Sequence, residues 1–321
     1  NVERRGKYKM VWAGIVIFNP SLDRLKKNID SIIGKVDGIV LYNNGCDEES
    51  KKYLKSIENN TIKLIGTGKN VGIAKALNEI IEESLRKGVE WVVTLDQDSI
   101  TPVELIPTYK KCISENNPEV AIFCPKVVDK RRIYPANKPV SYTEGNQVVN
   151  MCITSGSCTR VKAWKDIGGF DEFLFIDLVD NDFCKRLKIN GWKILRINSL
   201  ELDQEFGNII PKRKNIIEFY RKICNKIPDK NLAVKVSKLA YKKNVSPLRV
   251  YYTNRNIIYL NKKFEKCGGI GYESYSSKSY LGFYISFNIP SIIRGRDKIK
   301  IIKAIRKGIK DGKKAAGEFE R

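Results

Sequence analysis

Two carboxylates two residues apart, Asp96 and Asp98, close the apolar run Trp91-Val92-Val93-Thr94-Leu95. The run reads as a fully buried strand. On a strand or its exit turn, residues i and i+2 point to one side, about 7 Å apart at the backbone. Two convergent carboxylates can hold a hard divalent cation, which prefers oxygen and is often shared with substrate phosphates. The plainer reading is a strand ending in a polar turn, since D-x-D alone is common. A second carboxylate cluster, Asp177, Asp180 and Asp182, lies further along. The 321 residues include no histidine. Any general base is therefore a carboxylate, or else Lys, Cys or Tyr. Ser-His-Asp and Cys-His machinery is excluded.

The elements that must position these groups alternate. Val11–Phe18 reads as a strand, Ser21–Ile33 as a helix with Leu25, Ile29, Ile32 and Ile33 on one face, and Gly38–Tyr42 as a second strand. Asp47–Ile57, Ile62–Thr67 and Gly72–Lys87 continue the pattern up to the Trp91–Leu95 strand. This β-α-β-α-β rhythm with short loops predicts a parallel, doubly wound α/β sheet. Ligands of such sheets bind beyond the carboxyl ends of the strands. Asn19, Asn43 and Asp96/Asp98 all fall there.

Hydrophobic residues make up 42% of the chain, which suits a globular protein. The net charge of +23 is concentrated: residues 211–321 hold 28 Lys and Arg against 8 Asp and Glu. A boundary is expected near 205–212, separating a domain 1–210 from a basic helical region 211–321. Arg294–Lys314 reads as a basic amphipathic helix carrying Ile299, Ile301, Ile302, Ile305 and Ile309. The eight cysteines lack C-x-x-C spacing and suit free thiols in a reducing compartment. Leu281–Pro290 is apolar but too short to span a bilayer. No signal peptide is visible, so a cytoplasmic protein is expected.

The motifs in order are Ile15-Val16-Ile17-Phe18-Asn19-Pro20, Asn43-Asn44-Gly45, Asn70-Val71-Gly72, Thr94-Leu95-Asp96-Gln97-Asp98-Ser99 and Ile153-Thr154-Ser155-Gly156-Ser157. Trp164–Glu172 and Phe175-Ile176-Asp177-Leu178-Val179-Asp180-Asn181-Asp182-Phe183-Cys184 follow. This set resembles the family 2 inverting glycosyltransferases of GT-A fold, and its wording is most similar to the rhamnosyltransferases among them. The resemblance covers about residues 8–210, with a weaker tail at Tyr251–Asn256.

It implies a Rossmann-like mixed, mainly parallel sheet flanked by helices, with a basic helical C-terminal region. It implies a nucleotide-sugar donor, dTDP-rhamnose or otherwise a UDP-hexose such as UDP-glucose or UDP-galactose. Asp98, with Asp96 as a possible second ligand, would bind a divalent metal, Mg or Mn, on the donor diphosphate; Asp96 would also sit nearer the ribose. Ile17, Phe18, Asn19, Asn43 and Asn44 would border the nucleoside, and Gln97 would belong to the same site. Asn70 and Gly72 would lie close to the base or phosphates. Asn43-Asn44-Gly45 reads equally well as a tight turn. Asp180 would be the general base. Ser155, Gly156 and Ser157 would floor the acceptor or donor-sugar site, unless they are merely a small-residue bend. Asp182 would help position that site or cap the following helix.

Two positions depart from the family pattern. Val179 stands where Glu is frequent, and Gln204 stands where a histidine commonly completes the metal site. A Gln carbonyl can ligate a hard cation but brings no imidazole nitrogen, which implies either weaker metal dependence or substitution by Asp203 or Glu205. Enzymes of this type commonly act on polyprenyl-diphosphate-linked glycans, which implies a protein peripheral on the inner face of the plasma membrane. On that reading the basic C-terminal block meets an anionic membrane surface. Tyr272, Tyr275, Tyr280, Phe283, Tyr284 and Phe287 upstream favour an interface, and a solvated helix face is the plainer alternative. A non-catalytic scaffold or nucleic-acid binder is the rival class; no nucleic-acid-binding motif accompanies the charge, so no nucleic-acid partner is expected. Oligomeric state is left open.

Overall fold

The structure, a computed structural model, describes residues 9–128, 145–204, 209–229, 233, 236–243, 245–269 and 279–320. Glu205, Phe206, Gly207, Tyr272 and Tyr275 lie outside the described residues. The described residues up to Lys126, and those from Gly145 to Leu202, form one compact unit. Val127 and Val128 with the described residues from Asp203 onward form a second.

The first unit begins with β1 (Val11–Ile17), α1 (Leu22–Ile32), β2 (Gly38–Asn43), α2 (Glu48–Ser56), β3 (Ile62–Ile65), α3 (Ile73–Arg86) and β4 (Trp91–Asp96). Each of the seven lies within about two residues of its expected bounds, because each carries its own period and stop signal. Asp47 caps α2 by accepting from the Ser50 N–H at 2.8 Å. Then come α4 (Leu105–Ser114), β5 (Val120–Val128), β6 (Asn146–Val149), β7 (Ser157–Arg160), α5 (Val161–Asp166), α6 (Val179–Ile189) and β8 (Lys193–Asp203). The ends of β5 and β8 run into the second unit.

The eight strands form one sheet in the order β3-β2-β1-β4-β7-β5-β8-β6. Pairings from β3 to β4 are parallel. The parallel, doubly wound expectation holds for that half. Beyond it β7 runs antiparallel to both β4 and β5, and β6 antiparallel to β8. The sheet is therefore mixed. The chain winds outward from β1 to β3 and returns on the other side of β1 as β4, so strand order reverses between β1 and β4. The crevice outside such a reversal is where α/β sheets bind ligands. Beneath it Trp91 stacks on Phe123 at 5.2 Å, and both rings are buried.

In the second unit, strands Ile209–Pro211 and Tyr241–Lys243 pair antiparallel. The helix Pro247–Lys263 is capped by Ser246 and begins with proline. The helix Lys298–Ala316, capped by Asp297, packs along it. Two glycines set the close approach: a Cβ at Gly308 would lie 2.5 Å from the Tyr251 carbonyl oxygen, and one at Gly312 2.7 Å from that of Arg255. Ile301 and Ile305 are buried on the same face. Much of the apolar stripe of this basic helix is therefore spent on packing within the unit, although Ile299 stays exposed. A short helical segment runs from Tyr280 through a π turn, Tyr284–Asn288, to Arg294. It is fastened by a reciprocal amide pair, in which Asn254 and Asn288 each donate to the other at 2.9 Å with both side chains fully buried. Among the described residues no helix is long and apolar enough to cross a membrane.

Candidate active site

The strand ends at the reversal are tied by one side chain. Gln97 donates through Nε2 to the Phe18 carbonyl at 3.0 Å and accepts from the Phe18 N–H through Oε1 at 2.8 Å. Ile17 is buried beneath, the Phe18 ring is 44% exposed, and Asn19 adopts a left-handed φ of 42° while donating its N–H to the Gly45 carbonyl. The Phe18 main chain is thus pinned at the crevice mouth, and its ring is exposed there.

The asparagines serve the loops themselves. Asn43 accepts from the Gly45 N–H at 3.1 Å, a local turn. Asn44 is buried, donating to Asn70 Oδ1 at 3.2 Å and accepting from the Val71 N–H at 2.8 Å. Asn70 Oδ1 also accepts from the Gly72 N–H at 3.0 Å. The Asn43 bond is the local turn that the tight-turn reading describes, whereas the Asn44 and Asn70 amides clamp the β2 exit onto the turn before α3. Gly72, at φ 86°, is required by another neighbour: a Cβ there would lie 2.7 Å from the Phe175 ring and from its carbonyl oxygen. That contact docks the α3 start against the approach to Asp177.

Two consecutive residues, Thr154 and Ser155, link the two carboxylate clusters. Ser155 Oγ accepts from the Asp96 N–H at 3.1 Å and lies 2.9 Å from Ser99 Oγ. Thr154 hydrogen-bonds Asp180, and its carbonyl accepts from Thr94 Oγ1 at 2.6 Å. Gly156 turns the chain at φ 78° where a Cβ would strike Leu202, and its carbonyl accepts from the buried Tyr109 hydroxyl at 2.6 Å. Ser157 donates to the Ile153 carbonyl. The three residues form a small-residue bend, and the hydroxyls of Ser155 and Ser157 are used to hold it.

Asp180 stands in the first turn of α6, which follows two left-handed residues, Asp177 and Leu178, at φ 68° and 66°. Left-handed backbone costs a branched residue such as Leu roughly 1–2 kcal/mol, strain of the kind stored at functional sites. Asp180 shares a small crevice with Ile153, Phe170, Phe183, Cys152 and Cys184. Burial there, with Asp96 and then Asp177 as like charges nearby, pushes its carboxyl up to about 7; Thr154 opposes the rise. A carboxylate held near neutrality is suited to taking a proton.

Asp182, expected at the sugar site or as a helix cap, is fully buried instead. It accepts from Arg186 Nε at 2.8 Å and Nη2 at 2.6 Å, while Arg186 Nη1 donates to the Ile167 carbonyl. It braces α6. One further polar residue escaped the sequence reading: Asn28 on α1, fully buried, donates to the Asp96 carbonyl at 2.7 Å and to that of Ser99. Its signal was a polar side chain at an apolar position between Leu25 and Ile29.

Asp98 is half-buried on the turn after β4. No group of three or more metal-ligating side chains occurs among the described residues. The donor set at β4 fits a hard cation held by one or two carboxylates and completed by substrate phosphates, and does not fit a protein-only metal cage. All eight cysteines are free.

Residues 13–152 match the sequence profile of Glycosyl transferase family 2. Over 265 residues the chain is 30% identical to a dTDP-rhamnosyl transferase, RfbF, of Shigella flexneri, covering 79% of this chain and 80% of the relative. The chain belongs to glycosyl transferase family 2. As a member it is a glycosyltransferase whose donor is a nucleotide sugar. Among solved structures, GalNAc-T7 with UDP, GalNAc and Mn2+ aligns at a TM-score of 0.51 and 13% identity, over 63% of this chain and 44% of that one. S. aureus TarS aligns at 0.51 and 13% identity, over 94% of this chain and 55% of that one. Its 1–349 fragment with UDP-GlcNAc aligns at 0.50 and 14%, over 97% and 92%. The fold is of the GT-A type.

Proposed function

We propose that the chain is an inverting rhamnosyltransferase, moving L-rhamnose from dTDP-rhamnose to a hydroxyl of a growing glycan. The observation that carries the mechanism is the placement of Asp180, hydrogen-bonded to Thr154 in a crevice beside Asp96 of the D-x-D turn, where burial and the like charge push its carboxyl up to about 7. Asp180 takes the proton from the acceptor hydroxyl as its oxygen bonds to the anomeric carbon. The bond from that carbon to the diphosphate oxygen breaks on the opposite face, the diphosphate keeps the electron pair, and configuration inverts.

The nucleoside lies in the β1/β4 crevice against the Phe18 ring, bordered by Ile17, Asn19, Asn43 and Gln97, with Asn44, Asn70 and Gly72 shaping the loops behind it. Asp98, with Asp96, would hold a Mg or Mn ion that offsets charge on the departing diphosphate. Sequence kinship to a dTDP-rhamnosyl transferase supports the donor assignment. A UDP-hexose donor is the alternative, since sugar choice rests on pocket shape. A polyprenyl-diphosphate-linked acceptor at the inner face of the membrane fits the basic second unit.

Calorimetry with dTDP-rhamnose, UDP-glucose and UDP-galactose, each with Mg2+, Mn2+ or EDTA, tests the donor and the ion together. Selective, metal-assisted binding of dTDP-rhamnose is expected. Selective UDP-sugar binding would replace the donor, and an affinity unchanged by EDTA or by Asp98→Ala would remove the ion from Asp98.

A further inference from the structure

The membrane reading placed its contact on the basic C-terminal block, with Arg294–Lys314 as its amphipathic helix; the observed helix is Lys298–Ala316, and its apolar residues are partly consumed. Ile301 is fully buried and Ile305 is 3% exposed against the helix Pro247–Lys263, with Gly308, Gly312 and Ala315 on the same face. Among the described residues, a row of exposed aliphatic side chains lies just before it. Along the segment Tyr280–Arg294, Leu281 is 70% exposed, Ile285 55%, Ile289 40% and Ile293 68%, and Ile299 beyond the bend is 68% exposed. Phe283, Asn288 and Ser291 of the same segment face inward and are buried.

The spacing of the exposed residues, every fourth position, would not stay aligned on a regular helix. Residues i and i+4 drift by about 40° at 3.6 residues per turn. The π turn Tyr284–Asn288 is wider, with i→i+5 bonding, and sets that drift back between Leu281 and Ile289. The buried Asn254–Asn288 amide pair fixes the turn. A rare helical form thus lines four large aliphatic side chains along one outward face.

Four exposed cations, Arg294, Arg296, Lys298 and Lys300, follow directly. They continue into exposed Lys303, Arg306, Lys307 and Lys310 on the outer face of the next helix. An aliphatic row bordered by cations fits an anionic bilayer, whose acyl boundary takes the row and whose headgroups take the cations.

We propose that Leu281, Ile285, Ile289 and Ile293 form a membrane-inserting edge, and that the outer face of Lys298–Ala316 is its electrostatic guide. The edge rests on the membrane-linked acceptor of the proposed function, and it replaces the apolar face of the basic helix as the part that enters lipid.

The test is sedimentation of the full chain with vesicles of phosphatidylcholine alone, or of equal parts phosphatidylcholine and phosphatidylglycerol, without donor or acceptor. Ile285→Ser/Ile289→Ser/Ile293→Ser should lower partitioning into anionic vesicles at least about tenfold, at low and high salt alike. Lys303→Gln/Arg306→Gln should lower it at low salt only. An unchanged circular dichroism spectrum and retained nucleotide-sugar binding show that the triple variant is folded. Partitioning of the triple variant equal to that of the parent overturns the edge, as does a parent that ignores both vesicle types. A parent dimer that the triple variant dissolves, with vesicle binding unchanged, reassigns the row to a second copy of the chain. Vesicle binding that survives while transfer to a lipid-linked acceptor fails would overturn the acceptor assignment and leave the edge standing.

Discussion

At the scale of single residues, Asp180 links catalysis to stability. Its folded value of about 7 stands above the ordinary carboxylate value of 3.8. Between those values the folded protein keeps a proton that the unfolded chain has released, so stability falls as pH rises through the window and levels off above it. Asp180→Asn should therefore raise the unfolding temperature at pH 8, by the equivalent of about 2–4 kcal/mol, and change it little at pH 4. The same variant should lose transfer activity while still binding nucleotide sugar. For the parent, kcat/KM should climb with pH up to about 7 and then flatten; a flat profile from pH 5 to 8 would deny Asp180 the role of base. Asn28 acts at one remove. Asn28→Leu leaves the carbonyls of Asp96 and Ser99 without their donor, at roughly 1–3 kcal/mol of stability. It should weaken donor binding while leaving kcat at saturation close to the parent's, which titration calorimetry and initial rates would separate.

At the scale of elements, the N-terminal end of α6 is held by a buried ion pair rather than by a cap. Removing one partner strands the other: Asp182→Ala should destabilise by about 3–5 kcal/mol, and Asp182→Ala/Arg186→Met should recover much of that in a denaturant melt. Equal losses in both variants would show that the pair does not brace the helix. The first seven elements were legible because each advertises itself locally, as in Val11–Ile17 with its apolar run and Asp47 with its cap. The antiparallel entry of β7 between β4 and β5 was not, since it pairs Thr94 with Ser157 across more than sixty residues and no local period records that partnership. In the site, residue types were read more accurately than their duties. Asn44 and Asn70 stood out through the family resemblance as donor-site residues, yet they spend their amides on each other and on the backbone N–H groups of Val71 and Gly72. Thr154 was visible inside its motif, but its bond to Asp180 depends on a bend that only the folded chain makes. The basic helix was read correctly as amphipathic, and periodicity does not say whether an apolar face meets lipid or protein.

At the scale of the whole molecule, the second unit depends on close helix contact. Gly308→Ala gains about 0.8–1.0 kcal/mol in helix propensity but places a methyl group 2.5 Å from the Tyr251 carbonyl oxygen. Overpacking of that kind costs roughly 1–3 kcal/mol, so the net change should be destabilising; a higher melting temperature would mean that the helices separate easily. The raised carboxyl of Asp180 has a wider consequence in a chain without histidine. The 59 lysines and arginines keep their charge across the neutral range. A pH step from 6 to 8 therefore alters the proton on the proposed base and leaves the cationic face almost untouched, whereas added salt screens that face and reaches a half-buried carboxyl far less. Attachment and turnover then answer to separate controls, so each can be dialled in solution while the other stays fixed.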